Sequence, residues 1–508
     1  MRRAAKIIPM KRKIGLALAS CTLLVAGLLA AVYSGKIPLG VPGEWEWLRV
    51  KSAPPLLGLL IASAGVAAYG GYAALGFRAL GVPSRIGLRE SSWVAGLAAS
   101  AAILQALIPM GAADEYDLAK WAYVHGLHAS TGYYQVAKEQ AAADPWRFLA
   151  DYPTWIQAQD SLHIGTHPPG LIAMHCTLIA AMERHRRAAD ALNAAMPPPV
   201  SLAFRQLEVI NRRAVPHSDR AAMFLASLIT LFACAGTVAP LYVLARESLP
   251  PQVAWASASL WPLATAANLF QPGADAAYPM LSAAALAAAA WSARITGTPG
   301  LAGWGSPLLA IGSGAVMAFG MMFTLAFLPI GLIAALIVLS TRSISWPRRF
   351  GVVAWIGVGF LAIVALGWLT TGADPITVWR WNLRHHARFY LEYPRTYLAW
   401  LLENPVELAV AAGLPAAFWC IVGAVGDRRY VPRAAWCTLG VLVVVNLTGR
   451  NMGETARLWM LFLPPLFTAA GLGLTRLGGG TRTLFATVLL AGLQTLGLQA
   501  MIQVVYPI

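Results

Sequence analysis

The chain has 508 residues, of which 58% are hydrophobic and only 12% are charged. A soluble domain usually has about 25% charged residues, so these charges are too few to cover a soluble protein of this size. The formal net charge of +16 does not indicate nucleic acid as a partner, because no basic stripe interleaved with aromatic residues lies outside the short loops. The composition therefore excludes a soluble fold and predicts an integral membrane protein.

Apolar runs of membrane-spanning length follow one another along the chain. About 20 residues at a rise of about 1.5 Å each cross the hydrocarbon core of a bilayer, where every backbone polar group needs an internal partner. Clear runs lie at 14–33, 55–76, 92–110, 221–245, 321–340, 350–370, 406–425 and 483–502. Shorter or proline-broken runs lie at 169–182, 252–270, 277–292, 306–319, 433–447 and 458–475. We expect an all-α, polytopic transmembrane helical bundle of roughly 11 to 13 helices.

Basic residues cluster before and between the first apolar runs. These residues are Arg2, Arg3, Lys6, Lys11, Arg12 and Lys13 before the first run, and Arg78, Arg85 and Arg89 after the second. The positive-inside rule places such clusters in the cytoplasm. It predicts a multi-pass protein of a plasma membrane, such as the bacterial inner membrane, with a cytoplasmic N-terminus. We divide the chain into a transmembrane module, 1–370, and a C-terminal loop with its helices, 371–508.

The loop 111–168 differs in composition from the rest of the chain. It contains seven of the 22 acidic residues, and three crossings from a cytoplasmic N-terminus place it on the outer face. Leu118, Trp121, Ala122 and His125 recur at helical spacing. We therefore expect the outer loop to carry amphipathic helices that lie on the membrane surface.

Adjacent acids, Asp114 and Glu115, open this loop directly after an apolar run. One interpretation is that they cap the start of a short helix, where carboxylates are stabilised by the free N–H groups. The other is that one of them is a general base, because partial desolvation at the membrane boundary can tune the pKa of a carboxyl group. The two alternatives stay open at this point.

The loop closes with His167, followed by Pro168, Pro169 and Gly170. Two prolines fix the backbone before the first helical turn and so set the direction of His167. This pattern indicates either a rigid helix start without chemical function or a histidine held towards the loop.

A second group of ionisable residues, Arg450, Glu454 and Arg457, lies near the C-terminus beside an apolar run. Ionisable residues at a membrane boundary are unfavourable unless they pair or face a cavity. Glu454 and Arg457 have the spacing of a simple surface pair, but arginine also suits bidentate contact with phosphate. Asp275, between two apolar runs, is explained by N-capping alone.

The order of these features resembles the GT-C superfamily of membrane glycosyltransferases, and most nearly the protein O-mannosyltransferases and the lipid A aminoarabinose transferases. The similarity is clearest over 111–182, with the adjacent acids at its start and His-Pro-Pro near its end, and extends weakly through 221–292.

The resemblance implies transfer of a sugar from a polyprenyl-phosphate donor to a glycan, lipid or protein acceptor on the outer face, with inversion at the anomeric carbon. It implies that Asp114, with Glu115 beside it, orients or deprotonates the acceptor. His167, Arg450, Glu454 and Arg457 are the candidate substrate-binding residues, because the leaving phosphate needs cationic or hydrogen-bonding partners. No metal-site spacing is present, and a divalent metal is neither required nor excluded.

One feature of the chain conflicts with this resemblance, and one alternative function stays open. Positive-inside counting places 184–220 in the cytoplasm, whereas the order of features in the family requires Arg246 inside and Asp275 outside, a difference of one crossing. Either the run 169–182 is re-entrant or the chain has one further short crossing, and both alternatives stay open at this point. The alternative function is a transporter or flippase for a lipid-linked glycan. A transporter should concentrate ionisable residues within its helices near the midplane and often has repeated halves, whereas here they concentrate in the outer loop.

Overall fold

The computed structural model describes residues 10–50, 52–81, 87–113, 116–298, 303–425 and 431–504. Apart from two pairs of two-residue strands, the regular structure of these residues is helical, which confirms the predicted all-α fold. The strand Gly40–Val41 pairs with Trp45–Glu46, and Leu48–Arg49 pairs with Ile502–Gln503, both antiparallel.

Seven helical runs among the described residues are long and apolar enough to cross a membrane, so the chain is a multi-pass integral membrane protein. They are Arg12–Ser34, Leu56–Leu80, Gly87–Gly111, His217–Arg246, Ala274–Thr296, Trp346–Thr371 and Thr481–Met501. An eighth is broken, with Tyr397–Ala412 and Leu414–Val425 meeting at 108°. The shorter apolar helices are Gly305–Met321, Phe327–Leu339 and Arg433–Leu447. Together with the broken span, these three shorter helices bring the number to 11, the lower end of the predicted 11 to 13. The number is low because proline and glycine divide several apolar runs.

The remaining helices are short and connect or cover these runs. In the first half they are Lys120–Gly126, Tyr133–Val136, the π-helical turn Ala137–Ala141, Pro145–Trp155, the 3₁₀ turn Ile156–Ala158, His163–Thr166, Gly170–Arg184, Arg186–Ala195 and Pro198–Ile210. In the second half they are Pro251–Leu260, Trp261–Leu263, Thr265–Leu269, Ala274–Ala276, Pro375–Glu392, Thr455–Leu458, Met460–Phe462 and Leu463–Arg476.

Glycines allow several helices to cross at backbone contact. A Cβ atom at Gly314 would lie 1.9 Å from the carbonyl oxygen of Ile356, and one at Gly359 would lie 2.0 Å from that of Ile311. Both positions are therefore restricted to glycine. Small residues have this role in membrane bundles, where close packing replaces the hydrophobic effect as the source of helix association.

The bundle has two chemically distinct ends. At one end, which we call the basic end, Arg246 pairs with Glu90 at 3.1 Å and Arg433 pairs with Glu247 at 2.5 Å. The 30-residue run His217–Arg246 leads from this end to the other, about 45 Å away at 1.5 Å per residue. The other end, which we call the site end, carries the long loop 116–168.

Segment 184–220 lies at the site end together with this loop. Arg213 pairs with Glu139 at 3.2 Å, and Lys138 contacts Asp219 at 3.2 Å and Glu183 at 3.4 Å. The predicted placement of 184–220 on the opposite face from 111–168 is therefore wrong. The helix Gly170–Arg184 has 15 residues, about 22 Å, which is too short for a hydrocarbon core of about 30 Å.

The surface helix of the loop is not the one that the apolar spacing indicated. All seven residues of Lys120–Gly126 are buried, because Trp121 and its neighbours pack against Phe204 and Phe224. An exposed amphipathic helix is instead Pro145–Trp155, in which only Tyr152 is buried. Apolar periodicity marks one buried face, but it does not reveal whether the opposite face is also covered.

This arrangement predicts the accessibility of three introduced cysteines. Ala142→Cys and Ala188→Cys, both at exposed positions of the site end, should react with an impermeant thiol reagent from the same side of the membrane. Ser343→Cys, exposed next to Gly297 at the basic end, should react only from the other side. The parent protein controls for its five native cysteines, none of which is exposed. If the cysteines at positions 142 and 188 reacted from opposite sides of the membrane, the fold of the site end would be contradicted.

Candidate functional site

A cavity of about 780 Å³ opens at the site end. Ligand sites commonly have volumes of about 300 to 1,000 Å³. All four predicted substrate-binding residues, His167, Arg450, Glu454 and Arg457, line it. Residues separated by nearly 300 positions in the chain are thus brought to one space.

The loop that carries the two arginines has a defined shape. Gly449, Gly453 and Glu454 have positive φ angles of 62°, 90° and 56°, a conformation that favours glycine and is unusual for glutamate. The buried Asn404 side chain holds the loop, since its Nδ2 donates to the carbonyl of Asn451 at 2.8 Å and its Oδ1 accepts from the Gly453 N–H at 3.2 Å. We call residues 448–458 the arginine loop.

A buried carboxylate, Glu407, holds the other half of the arginine loop. It accepts hydrogen bonds from Thr455 N at 3.2 Å, Thr455 Oγ1 at 2.9 Å and Ala456 N at 3.2 Å. A fourth comes from the indole of Trp47 at 3.3 Å. Sequence reasoning missed this residue because it lies inside an apolar run; a lone acid within such a run is itself a signal of function.

Arg457 is already paired. Its guanidinium lies 2.6 Å from the Glu454 carboxylate and 3.8 Å from that of Asp275. The side chains of these three residues are between 23% and 24% exposed. The predicted pairing of Glu454 with Arg457 is present, but it faces a cavity rather than a free surface. Asp275, expected to cap a helix, makes no capping hydrogen bond and instead faces Arg457.

Arg450 is the free cation of the cavity. It is exposed, and within the described part of the chain its side chain takes part in no hydrogen bond or ion pair; only its backbone N–H is bonded, to Thr448. An unpaired guanidinium presents several donors in a rigid fork that matches phosphate oxygens. Arg450 therefore has the chemistry for an anion, whereas the charge of Arg457 is already offset.

His167 is held by the local structure on both sides. Its Nδ1 lies 2.8 Å from the carbonyl oxygen of His163. After the two prolines, Gly170 donates its N–H to the Met322 carbonyl at 2.9 Å, and a Cβ at that position would lie 2.4 Å from the same oxygen. Burial, with the nearby Arg457 cation adding to it, lowers the pKa of His167 to about 4 despite the hydrogen bond to His163.

The cavity continues into a narrow polar extension of about 50 Å³. The two spaces share Ser130, His163, His167, Arg457 and Val504. The polar and aromatic residues that the extension adds are Thr131, Tyr133, Asp275 and Tyr278, beside the apolar Val124, Leu171 and Phe270. This inner region therefore presents hydroxyl groups, imidazoles and one carboxylate.

Part of the cavity lining is apolar. This part includes Leu325, Leu328, Leu383, Val445 and Phe462. Leu328 and Leu383 are 51% and 55% exposed, so the apolar region reaches the outside of the bundle. Exposed apolar surface of this kind on a membrane protein is suited to contact with lipid. The cavity thus combines apolar side chains, a free arginine and a polar extension.

A strap formed by residues 40–50 covers one side of the cavity and contributes Trp45, Glu46 and Leu48 to its lining. The carboxylate of Glu44 anchors the strap by accepting from Thr396 N at 2.9 Å and from the Trp400 indole at 2.6 Å. Because Trp47 donates to Glu407, the same strap is linked to the arginine loop.

The predicted catalytic residues Asp114 and Glu115 lie outside the described residues, so their role stays a prediction. The described residues contain no group of three or more histidine, cysteine, aspartate or glutamate side chains arranged for a metal ion.

Comparison of the chain with protein-family models, with curated proteins and with solved structures finds no match.

Glu407→Gln should loosen the arginine loop. An amide can accept with only one of its two terminal atoms, so its NH₂ group would face a donor of Thr455, Ala456 or Trp47. We expect faster hydrogen exchange over residues 450–458 and a loss of stability of about 1 to 3 kcal/mol. Glu403→Gln is the matched control, because Glu403 lies one helical turn away and, among the residues that the structure describes, accepts a hydrogen bond from Gly40 of the strap alone. Unchanged exchange over 450–458 would show that Glu407 does not hold the loop.

Proposed function

We propose that this protein is a membrane glycosyltransferase that takes a sugar from a polyprenyl-phosphate donor. The observation that carries the proposal is the composition of the cavity: apolar side chains that reach the outside of the bundle, a free arginine and a polar extension. A polyprenyl-phosphate sugar has three parts that match these features, namely a hydrocarbon chain, an anionic phosphate and a sugar ring with hydroxyl groups. The resemblance to the GT-C superfamily supports the same assignment from the sequence.

In this proposal the phosphate lies against Arg450, with the prenyl chain along Leu328 and Leu383. The acceptor hydroxyl oxygen attacks the anomeric carbon, the bond from that carbon to the phosphate oxygen breaks, and the oxygen leaves with the bonding electrons. The proton of the hydroxyl passes to Asp114, with Glu115 beside it. Arg450 stabilises the charge that develops on the phosphate, and a single displacement inverts the anomeric carbon.

The reaction would take place on the outer face of a plasma membrane, the inner membrane in a bacterium. The basic end also carries three further arginines, Arg89, Arg294 and Arg349, as expected for a cytoplasmic face. The N-terminus would then be cytoplasmic and the cavity extracytoplasmic. The acceptor is a glycan, a lipid or a protein.

The alternative, a transporter or flippase for a lipid-linked glycan, needs a route for the sugar between the two ends. The cavity described above is confined to the site end, which favours transfer over transport.

The deciding experiment uses purified protein in nanodiscs with a panel of radiolabelled undecaprenyl-phosphate sugars and an extract of membrane acceptors. We expect one donor to lose its label to an acceptor with release of undecaprenyl phosphate. Movement of an intact lipid-linked glycan across a proteoliposome, without cleavage of any donor, would contradict the proposal and support the flippase.

A further inference from the structure

The hydrogen bonds of His167 determine which ring nitrogen carries its proton. A carbonyl oxygen can only accept, so the 2.8 Å contact with the His163 carbonyl requires Nδ1 to be the donor. Thr166 Oγ1, 3.1 Å from the same nitrogen, also contacts the carbonyl oxygens of Leu162 and His163, to which it can only donate. The neutral ring therefore carries its proton on Nδ1 and a lone pair on Nε2.

Nε2 is left without a partner among the described residues. Nε2 of His125 and Nδ1 of His175 also lack partners, but these two atoms are fully buried, whereas Nε2 of His167 is not. His167 lines both the main cavity and its polar extension, so its unpaired nitrogen is accessible from that space. The site thus contains a neutral acceptor in the same cavity as Arg450, the one arginine among its described lining residues that has no side-chain partner.

Protonation of Nε2 is opposed by the surroundings. The ring is buried, and the Arg457 cation is close enough to disfavour a second positive charge. His163 and His386 are subject to the same burial, and their pKa values are also lowered, that of His163 to about 3. The surroundings therefore favour the neutral form of these three histidines and disfavour a role as cationic phosphate ligands.

We propose that Nε2 of His167 accepts a hydrogen bond from a hydroxyl group of the bound sugar, which makes it a specificity-determining contact and not a phosphate ligand. This inference rests on the proposed function. A lone pair repels the oxygens of a phosphate but is complementary to an O–H group. It therefore orients the ligand in the cavity, with the phosphate at Arg450 and the sugar ring at the polar extension between Ser130 and Tyr133.

The test compares two lipids that differ only in the sugar, undecaprenyl phosphate and undecaprenyl phosphate mannose. Their binding to protein in nanodiscs is measured for the wild type, His167→Ala and His167→Gln. His167→Ala should weaken the binding of the sugar-bearing lipid by roughly 3- to 10-fold, the effect of one lost hydrogen bond, and leave the binding of the sugar-free lipid unchanged. His167→Gln should retain most of the binding, because its Oε1 can accept near the position of Nε2.

The ring itself provides a second readout that does not depend on turnover. Nitrogen-15 NMR of labelled histidine, assigned by difference from His167→Gln, should show an Nδ1–H tautomer whose Nε2 signal shifts on addition of the sugar-bearing lipid alone. An imidazolium or an Nε2–H tautomer would overturn the inference. It would also be overturned if His167→Ala weakened the binding of both lipids equally while the wild type carried out the donor reaction. Failure of both lipids to bind the wild type would instead refute the proposed function, and the sugar subsite with it.

Discussion

Asp114→Asn is expected to lower the rate of sugar transfer by roughly 10²- to 10⁴-fold, the usual effect of losing a general base. Asparagine has nearly the size of aspartate and caps helices well, but it cannot accept a proton from the acceptor. If Asp114 only caps a helix, the change should remove at most about 1 kcal/mol of stability and leave turnover intact. The measurement is turnover at saturating donor, alongside the melting temperature and membrane insertion.

Glu115→Gln is the companion variant. Neighbouring residues at a helix start point about 100° apart, so only one of the two can face the acceptor directly. We expect Asp114 to be the more sensitive position. Near-normal turnover in both variants would remove this pair from the catalytic centre, and Asp275, the carboxylate that faces the cavity beside Arg457, would then be the first to test.

The helical fold could be predicted because the membrane imposes it. Apolar runs such as 346–371 have to satisfy their own backbone groups in lipid, which leaves the helix as the form for a chain of this composition. Which residues line the cavity was also partly predictable. Arg450, Glu454, Arg457 and His167 are costly at a membrane boundary without a partner, so their presence already indicates a cavity or a pair.

The errors came from contacts between distant parts of the chain. Positive-inside counting treats the arginines of 184–220 as free charges, whereas Arg213 and Arg220 are paired with Glu139 and Glu208 at the site end. Glu407 was missed because its partner Thr455 is 48 positions away. Asp275 was assigned to capping because its partner Arg457 is 182 positions away. Pairing at such separations depends on the packing of the helices, which local patterns do not encode.

Arg450→Ala and Arg457→Ala are expected to fail in different ways, although both remove an arginine from one cavity. Arg450 has no side-chain partner among the described residues, so its loss should leave the melting temperature unchanged. A hydrogen bond to a charged group contributes about 1.5 to 3 kcal/mol. We therefore expect the KM for the donor to rise by roughly 10- to 150-fold.

Arg457→Ala should instead lower both stability and kcat. Without the guanidinium, Glu454 and Asp275 face each other in a largely buried site, and breaking a buried ion pair costs on the order of 3 kcal/mol. Arg457→Lys should recover stability by restoring the charge, but only part of kcat, because an ammonium group cannot reproduce the planar fork.

Arg388→Ala is the matched control for both arginine variants, because it breaks an ion pair with Glu392 in which Arg388 is 59% exposed. An exposed pair of this kind contributes under about 1 kcal/mol, so neither kinetics nor melting temperature should change appreciably. If Arg457→Ala raised the donor KM without loss of stability, Arg457 would be a direct phosphate ligand and its pairing with Asp275 would be incidental. If Arg450→Ala left KM unchanged, the free arginine would not bind the phosphate, and the proposed position of the donor in the cavity would be wrong.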